Sequence, residues 1–217
     1  MYKTELFNRT SKCEYIEKEK ENISFVNDTL LKEKETEQVH LCLGFEGVEN
    51  GNEHIYTLMA LNNIIGGGMS SRLFQKIREE QGLVYSIYSY PSTHINTGLF
   101  TIYAGMNPEQ TNKVYDLIIG EMDLLLSKGI SIDELSKSKE QLKGNYILGL
   151  ESTSGRMNSM GKSELLLGKI YRPDEVLQKI DDINLETAND LIRKIINLDK
   201  FGVAAVGNIK NTRFSPN

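Results

Sequence analysis

Arg78 and Tyr85 are the two residues whose types and spacing suit work on a peptide group. They stand seven residues apart in the run from Gly66-Gly67-Gly68 through Ile77-Arg78-Glu79-Glu80-Gln81-Gly82-Leu83-Val84-Tyr85-Ser86. A guanidinium offers two parallel donors that fork onto a carbonyl or carboxylate and hold a peptide in register. A neutral phenol donates to a carbonyl oxygen as it becomes an oxyanion, and preorganised donors of this kind contribute about 2.7 to 4 kcal/mol of barrier in hydrolases. The residues between them read as the last turn of a short helix, a left-handed stop at Gly82 and the opening of a strand. Such a reversal aims both side chains at one bound peptide. Gly66, Gly67 and Gly68 have two readings: a helix cap joined to a tight turn, or a loop whose amides approach a ligand closely. The P-loop reading fails, because no Gly-Lys-Ser/Thr follows.

Other polar residues offer less. The chain has three histidines, His40, His54 and His94, and no two are four or five residues apart, so neither H-x-x-E-H nor H-E-x-x-H occurs. A zinc hydrolase needs three protein ligands and an open position for water. His40 and Cys42 share one face of a strand, but without a third donor they read as a semi-exposed imidazole and a small buried thiol. Glu79 and Glu80 are neighbours on a helix and point apart, which disfavours a shared proton and favours exposed pairing. Surface or turn positions are the reading for His54 and His94.

Composition bounds the setting. A chain of 217 residues, 39% apolar and 25% charged, is long enough for one sizeable core. Its net charge of -5 and lack of a basic stripe exclude a phosphate-backbone partner. Lys/Glu runs such as Lys18 to Glu21 and Lys32 to Glu35 read as solvated surface. Cys13 and Cys42 are too few for a disulfide framework, and no apolar run reaches bilayer length, so a cytoplasmic protein without membrane contact is expected.

The elements that must position Arg78 and Tyr85 follow from periodicity. Residues 1–36 are polar and read as a lead-in, with one short strand near Ile23 to Val26; residues 37–217 form the domain. Val39, Leu41, Leu43 and Phe45 alternate as a strand with one apolar face. Ile55 to Ile65 has helical spacing and stops at the glycines. Ser70 or Ser71 is expected to cap the next helix, with Leu73, Phe74 and Ile77 as its buried stripe. A hairpin follows, Val84 to Ser92 and Leu99 to Ala104, and then a helix opening at Asn107-Pro108. Ser131 and Glu134 form a capping box for a helix from Ile132 to Leu150. Further helices are expected from Ser152 to Leu167, where Met157 and Met160 are assigned to the core, after Pro173, and from Leu185 to Asn197. Phe201 to Gly207 closes the chain's ordered pattern as a buried strand. The sum is an α+β fold, an antiparallel-rich sheet covered on one face by helices.

The stretch from Ile77 to Ser86, with its arginine and a tyrosine seven residues later, closely resembles the second half of the pitrilysin/insulinase zinc metallopeptidases, the inverzincins, whose bacterial members include processing proteases. The likeness runs from about Gln38 to about Asn208 with the segments in the same order. It implies a processing-peptidase-like half-domain in which Arg78 and Tyr85 reach across a closed chamber to substrate. Zinc would be held by the N-terminal half, none by this chain. The lead-in corresponds to the segment joining two halves, so the chain is expected to be a C-terminal half beginning at an artificial Met1. Its partners would be the N-terminal catalytic half, or a homologous subunit, and a peptide. Alone it should not cleave. One alternative is a non-catalytic family member that binds peptides as a partner or scaffold; another is a phosphate- or small-molecule-binding module using the glycine loop.

Overall fold

The strand predicted from Val39, Leu41, Leu43 and Phe45 is the middle of a five-stranded sheet in the computed structural model, which describes residues 23–210 and 212–214. The strands are β1 (Thr29–Glu33), β2 (Val39–Glu46), β3 (Val84–Thr93), β4 (Gly98–Met106) and β5 (Gly202–Gly207), in the order β1-β5-β2-β4-β3. The β2–β4, β2–β5 and β3–β4 pairs are antiparallel and only β1–β5 is parallel. The helices are α1 (Ile55–Ile65), a π-helix (Phe74–Glu79), a short 3-10 turn (Pro108–Gln110), α2 (Thr111–Lys128), α3 (Ile132–Glu151), α4 (Thr153–Leu167), α5 (Pro173–Asp181) and α6 (Leu185–Ile195).

Alternation fixes which face is covered. Leu41, Leu43, Ile102, Ala104, Val203 and Ala205 turn to one side and pack, fully or nearly buried, against Leu61 of α1, Ile118 and Met122 of α2, and Leu191 and Ile192 of α6. The opposite side carries His40, Cys42, Gly44, Tyr88, Tyr90 and Tyr103, and among the described residues no helix covers it. The α+β fold with helices on one face is therefore as the periodicity indicates. The Ser131/Glu134 capping box is present, with the Glu134 amide donating to Ser131 Oγ at 3.2 Å and the Ser131 amide donating to Glu134 Oε2 at 2.8 Å.

Several expectations need correction. The early strand lies at Thr29–Glu33 rather than near Ile23 to Val26, because β1 is held by ladder hydrogen bonds to β5 alone and every one of its side chains is exposed, leaving no apolar alternation to read. It joins the sheet from within the stretch read as a lead-in. Ser71 does not cap the next helix: its hydroxyl donates to the Gly68 carbonyl at 2.6 Å, and that helix winds as π rather than α. Met157 and Met160 are not core residues, being 65% and 51% exposed on α4, a helix with no buried residue. Their helical spacing is correct, but among the described residues nothing buries them. Cys13 and the Lys18 to Glu21 run lie outside the described residues.

Candidate functional site

The corner between the π-helix and β3 is set by three backbone bonds. Glu80 N donates to Gln75 O at 2.9 Å, a five-residue step that widens the turn; Gly82 N donates to Arg78 O at 3.0 Å and Leu83 N to Ile77 O at 3.2 Å. Gly82 has φ +62, the left-handed value expected of it, and a Cβ there would meet nothing within 4 Å, so backbone conformation alone requires glycine. Leu73 and Ile77 are buried without remainder and turn the opposite side of the helix, with Arg78, to solvent.

Arg78 stands over the Phe74 ring, its guanidinium carbon 4.9 Å from the centroid. Among the described residues no carboxylate pairs with it, so its fork of donors is uncommitted. It lines a cleft of about 410 Å³ whose other walls are Gly66, Gly67, Gly68, Phe74 and the edge of β3 from Ser86 to Ser89. Tyr85 is 57% exposed and occupies the bulge between Val84 and Ser86, where β3 slips one residue against β4. A bulge re-aims a side chain. Arg78 and the three glycines are thus brought to one cleft, while Tyr85 sits at its corner and is not part of the lining.

The glycines divide between the two readings. A Cβ on Gly66 would fall 2.6 Å from Ser89 N, the amide that donates to Gly66 O at 3.0 Å, and a Cβ on Gly67 would fall 2.8 Å from Asn63 Cα. Gly66 lets α1 close against β3, and Gly67 lets the chain double back against the last turn of α1 itself. Gly68 has ordinary room, its nearest neighbour being Gln141 Nε2 at 3.8 Å, and packing does not require a glycine there. Beneath the loop, Ser89 Oγ donates to Asn62 Oδ1 at 2.8 Å, which ties the edge strand to the end of α1.

Sequence reasoning missed the residues that hold this helix in place. Arg72 forks onto Glu134, Nε to Oε1 at 2.6 Å and Nη2 to Oε2 at 2.9 Å, and Nη2 also donates to Gly129 O at 3.1 Å. Lys76 Nζ meets buried Glu121 Oε2 at 2.7 Å, and Arg72 Nη1 lies 3.6 Å from Glu121 Oε1. The hydrogen bond from Arg72, aided by those from Ser131, lowers the Glu134 carboxyl to about 2, and the same bond raises Arg72. Nothing local in the sequence pairs residues so far apart. The only visible sign was Glu134 itself, read as a cap.

The histidines do not assemble a metal centre. His40 Nδ1 is 2.7 Å from Tyr103 Oη, His54 Nε2 is 3.7 Å from Glu53, and His94 sits in the hairpin turn. Cys42 is half-buried, and burial pushes its thiol up. Among the described residues no three His, Cys, Asp or Glu side chains are grouped to hold a metal ion, so this donor set does not fit zinc. Among the same residues no helix is long and apolar enough to cross a membrane.

Residues 7–142 match the family model described as the peptidase M16 inactive domain. The chain is 47% identical over 179 residues to a Bacillus subtilis (strain 168) protein named as the uncharacterized zinc protease YmxG, covering 82% of this chain and 44% of that protein. A zinc protease of Streptomyces coelicolor is 37% identical over 182 residues, covering 84% of this chain and 39% of its own length. The chain therefore spans less than half the length of these relatives. Among solved structures, a peptidase M16 inactive domain from Pseudomonas fluorescens superimposes with a TM-score of 0.77 at 21% identity, over 84% of this chain and 44% of that one. A chain of Complex III2 from Candida albicans superimposes at 0.76 and 19% identity, over 87% and 47% respectively. The family model matched over residues 7–142 and the 47% identity over 82% of this chain give the assignment: the chain belongs to the peptidase M16 inactive-domain family.

Proposed function

We propose that this chain supplies the substrate-gripping half of a zinc-dependent endopeptidase and does not cleave peptides alone. Arg78 donates two hydrogen bonds to a carbonyl or carboxylate of the bound peptide, and Tyr85 donates one to the scissile carbonyl oxygen as negative charge develops on it. Gly66 to Gly68 form the wall against which the peptide backbone lies. The partner is a catalytic half carrying zinc, either N-terminal in the same protein or a homologous subunit, and the low cysteine count supports a cytoplasmic setting. The observation that carries this reading is the uncommitted guanidinium of Arg78 at the cleft.

The test mixes this chain with a catalytic half bearing an H-x-x-E-H motif and follows a quenched fluorescent peptide. Turnover should require both halves and should fall when Arg78 is replaced by Ala. Chelator-sensitive turnover by this chain alone, or an Arg78→Ala mixture as active as the wild type, refutes it. The position of Tyr85 outside the cleft lining favours a second reading, a peptide-binding partner that takes no part in hydrolysis. In that case Tyr85→Phe leaves the mixture's turnover unchanged.

A further inference from the structure

Asn62, in the last turn of α1, has one hydrogen-bonding group left over. Its carbonyl accepts from Gly66 N at 2.9 Å and Gly67 N at 2.7 Å, and its side-chain Oδ1 accepts from Ser89 Oγ at 2.8 Å. Nδ2 remains. Among the described residues nothing accepts from it, and it is not sealed from solvent as the neighbouring Asn63 Nδ2 is.

The orientation of that amide is fixed. Ser89 is buried and its hydroxyl has a single proton; Asn62 O, 3.5 Å away, already serves two backbone donors, so Oδ1 is the acceptor that proton needs. Turning the amide over would leave the buried hydroxyl without one. Nδ2 therefore lies on the side of the amide away from Ser89. A Cβ on Gly67 would come within 3.0 Å of Nδ2, so the bare glycine leaves this donor uncovered. Asn62 lines the same cleft as Arg78 and the three glycines.

We propose that Asn62 Nδ2 is a second substrate contact, donating to a backbone carbonyl oxygen of the peptide that Arg78 grips. The proposal rests on the function given above and deepens it. A wall without side chains admits a substrate backbone most closely, and Gly66, Gly67 and Gly68 form such a wall beside the amide. A neutral donor suits a neutral carbonyl, whereas a guanidinium also takes a carboxylate. One preset amide and one cation thus fix the register of an extended segment through its main chain, with no demand on the side chain at the carbonyl that Asn62 meets. Ser89 is a positioning residue, acting only through Asn62.

Fluorescence anisotropy tests it, with the full 217-residue chain and an end-capped Gly/Ala/Ser peptide bearing a neutral dye. Asn62→Asp keeps the acceptor for Ser89 and removes the donor. It should weaken binding about threefold to tenfold, by the same factor in the wild type and in Arg78→Ala. Ser89→Ala should weaken it less, and add nothing once residue 62 has lost its donor. A thermal melt accompanies each variant: if Asn62 only ties β3 to α1, Tm moves while affinity stays, and the proposal is overturned. A loss that disappears in Arg78→Ala overturns it too, since Asn62 would then act through the guanidinium. Should Asn62→Asp fail to fold, Ser89→Ala decides, and wild-type affinity there overturns the contact. If Arg78→Ala binds like the wild type while Asn62→Asp does not, the contact stands and the Arg78 role fails; the reverse pattern keeps Arg78 and removes Asn62. No saturable binding by the wild type overturns the contact, and the turnover assay above still decides the function.

Discussion

The Arg72 guanidinium and the Glu134 carboxylate meet in a two-point fork, at 2.6 and 2.9 Å, that pins the first turn of the π-helix region to the N-terminus of α3. Glu134 also accepts from the Ser131 amide at 2.8 Å, so one carboxylate both caps a helix and anchors the helix that carries Arg78.

This arrangement predicts an acid-sensitive contribution to stability. The folded-state carboxyl titrates at about 2, below its ordinary 4.5. A depressed carboxylate stabilises the fold fully above the unfolded value and loses that contribution as pH falls through the folded one. Denaturant midpoints of the wild type and Glu134→Gln should therefore differ near neutrality and converge between about pH 4.5 and 2. Near neutrality Glu134→Ala should cost about 1 to 3 kcal/mol, since it removes both bonds of the fork and leaves Arg72 only Gly129 O and Glu121. Parallel curves for wild type and Glu134→Gln across that pH range would remove the fork from the stability account.

Arg78 is exposed and, among the described residues, its guanidinium stands over the Phe74 ring without a carboxylate partner, so Arg78→Ala should leave Tm nearly unchanged. If Arg78 grips the peptide, kcat/KM of the assembled enzyme should drop by roughly tenfold to a hundredfold, the loss of a charge-assisted hydrogen bond. Lysine, a point charge without the fork, should restore only part of it. Steady-state kinetics beside a thermal melt makes the comparison.

For Tyr85 the informative change is to Phe. The ring stays and the donor goes, at a position 57% exposed, so stability should not move. An oxyanion-directed phenol predicts a fall of about a hundredfold or more in kcat with KM little altered. A rise in KM at constant kcat would instead make Tyr85 a ground-state binding residue.

Gly82 offers a purely conformational test. Its φ of +62 is costly for an L side chain, yet a Cβ would have nothing within 4 Å. Gly82→Ala should destabilise by about 1 to 2 kcal/mol through backbone strain alone, and Gly82→Asn by less, since Asn tolerates the left-handed region. Chemical denaturation ranks the three proteins, and an Ala variant as stable as wild type would show that the corner relaxes to another conformation.

The fold was largely legible because burial on one side of a sheet writes period-two alternation into β2, and amphipathic helices write a longer period into α1 and α6. β1 escaped notice because no side chain of Thr29 to Glu33 is buried. The π-helix was invisible for another reason: Leu73 and Ile77 occupy positions compatible with either winding, and backbone bonds of five-residue step, such as Glu80 to Gln75, distinguish them. Met157 and Met160 show the limit from the other side, apolar residues at helical spacing that no described residue buries. Within the candidate site, Arg78, Tyr85 and the glycines could be named from local sequence. The Arg72–Glu134 fork could not, because it joins residues far apart along the chain and only tertiary packing places them together.

The seam between β1 and β5 has a mechanical consequence. Its five register pairs are parallel, so they lie in shear when the chain is pulled from the N-terminal side along the strand, and no apolar side chain of β1 lies buried to resist. Its slot also stays empty until Gly202 to Gly207 has been laid down, which makes the first of the described strands the last of them to find its place. Tension on that end would release one strand while the helix-backed layer of β2, β4 and β5 kept its shape.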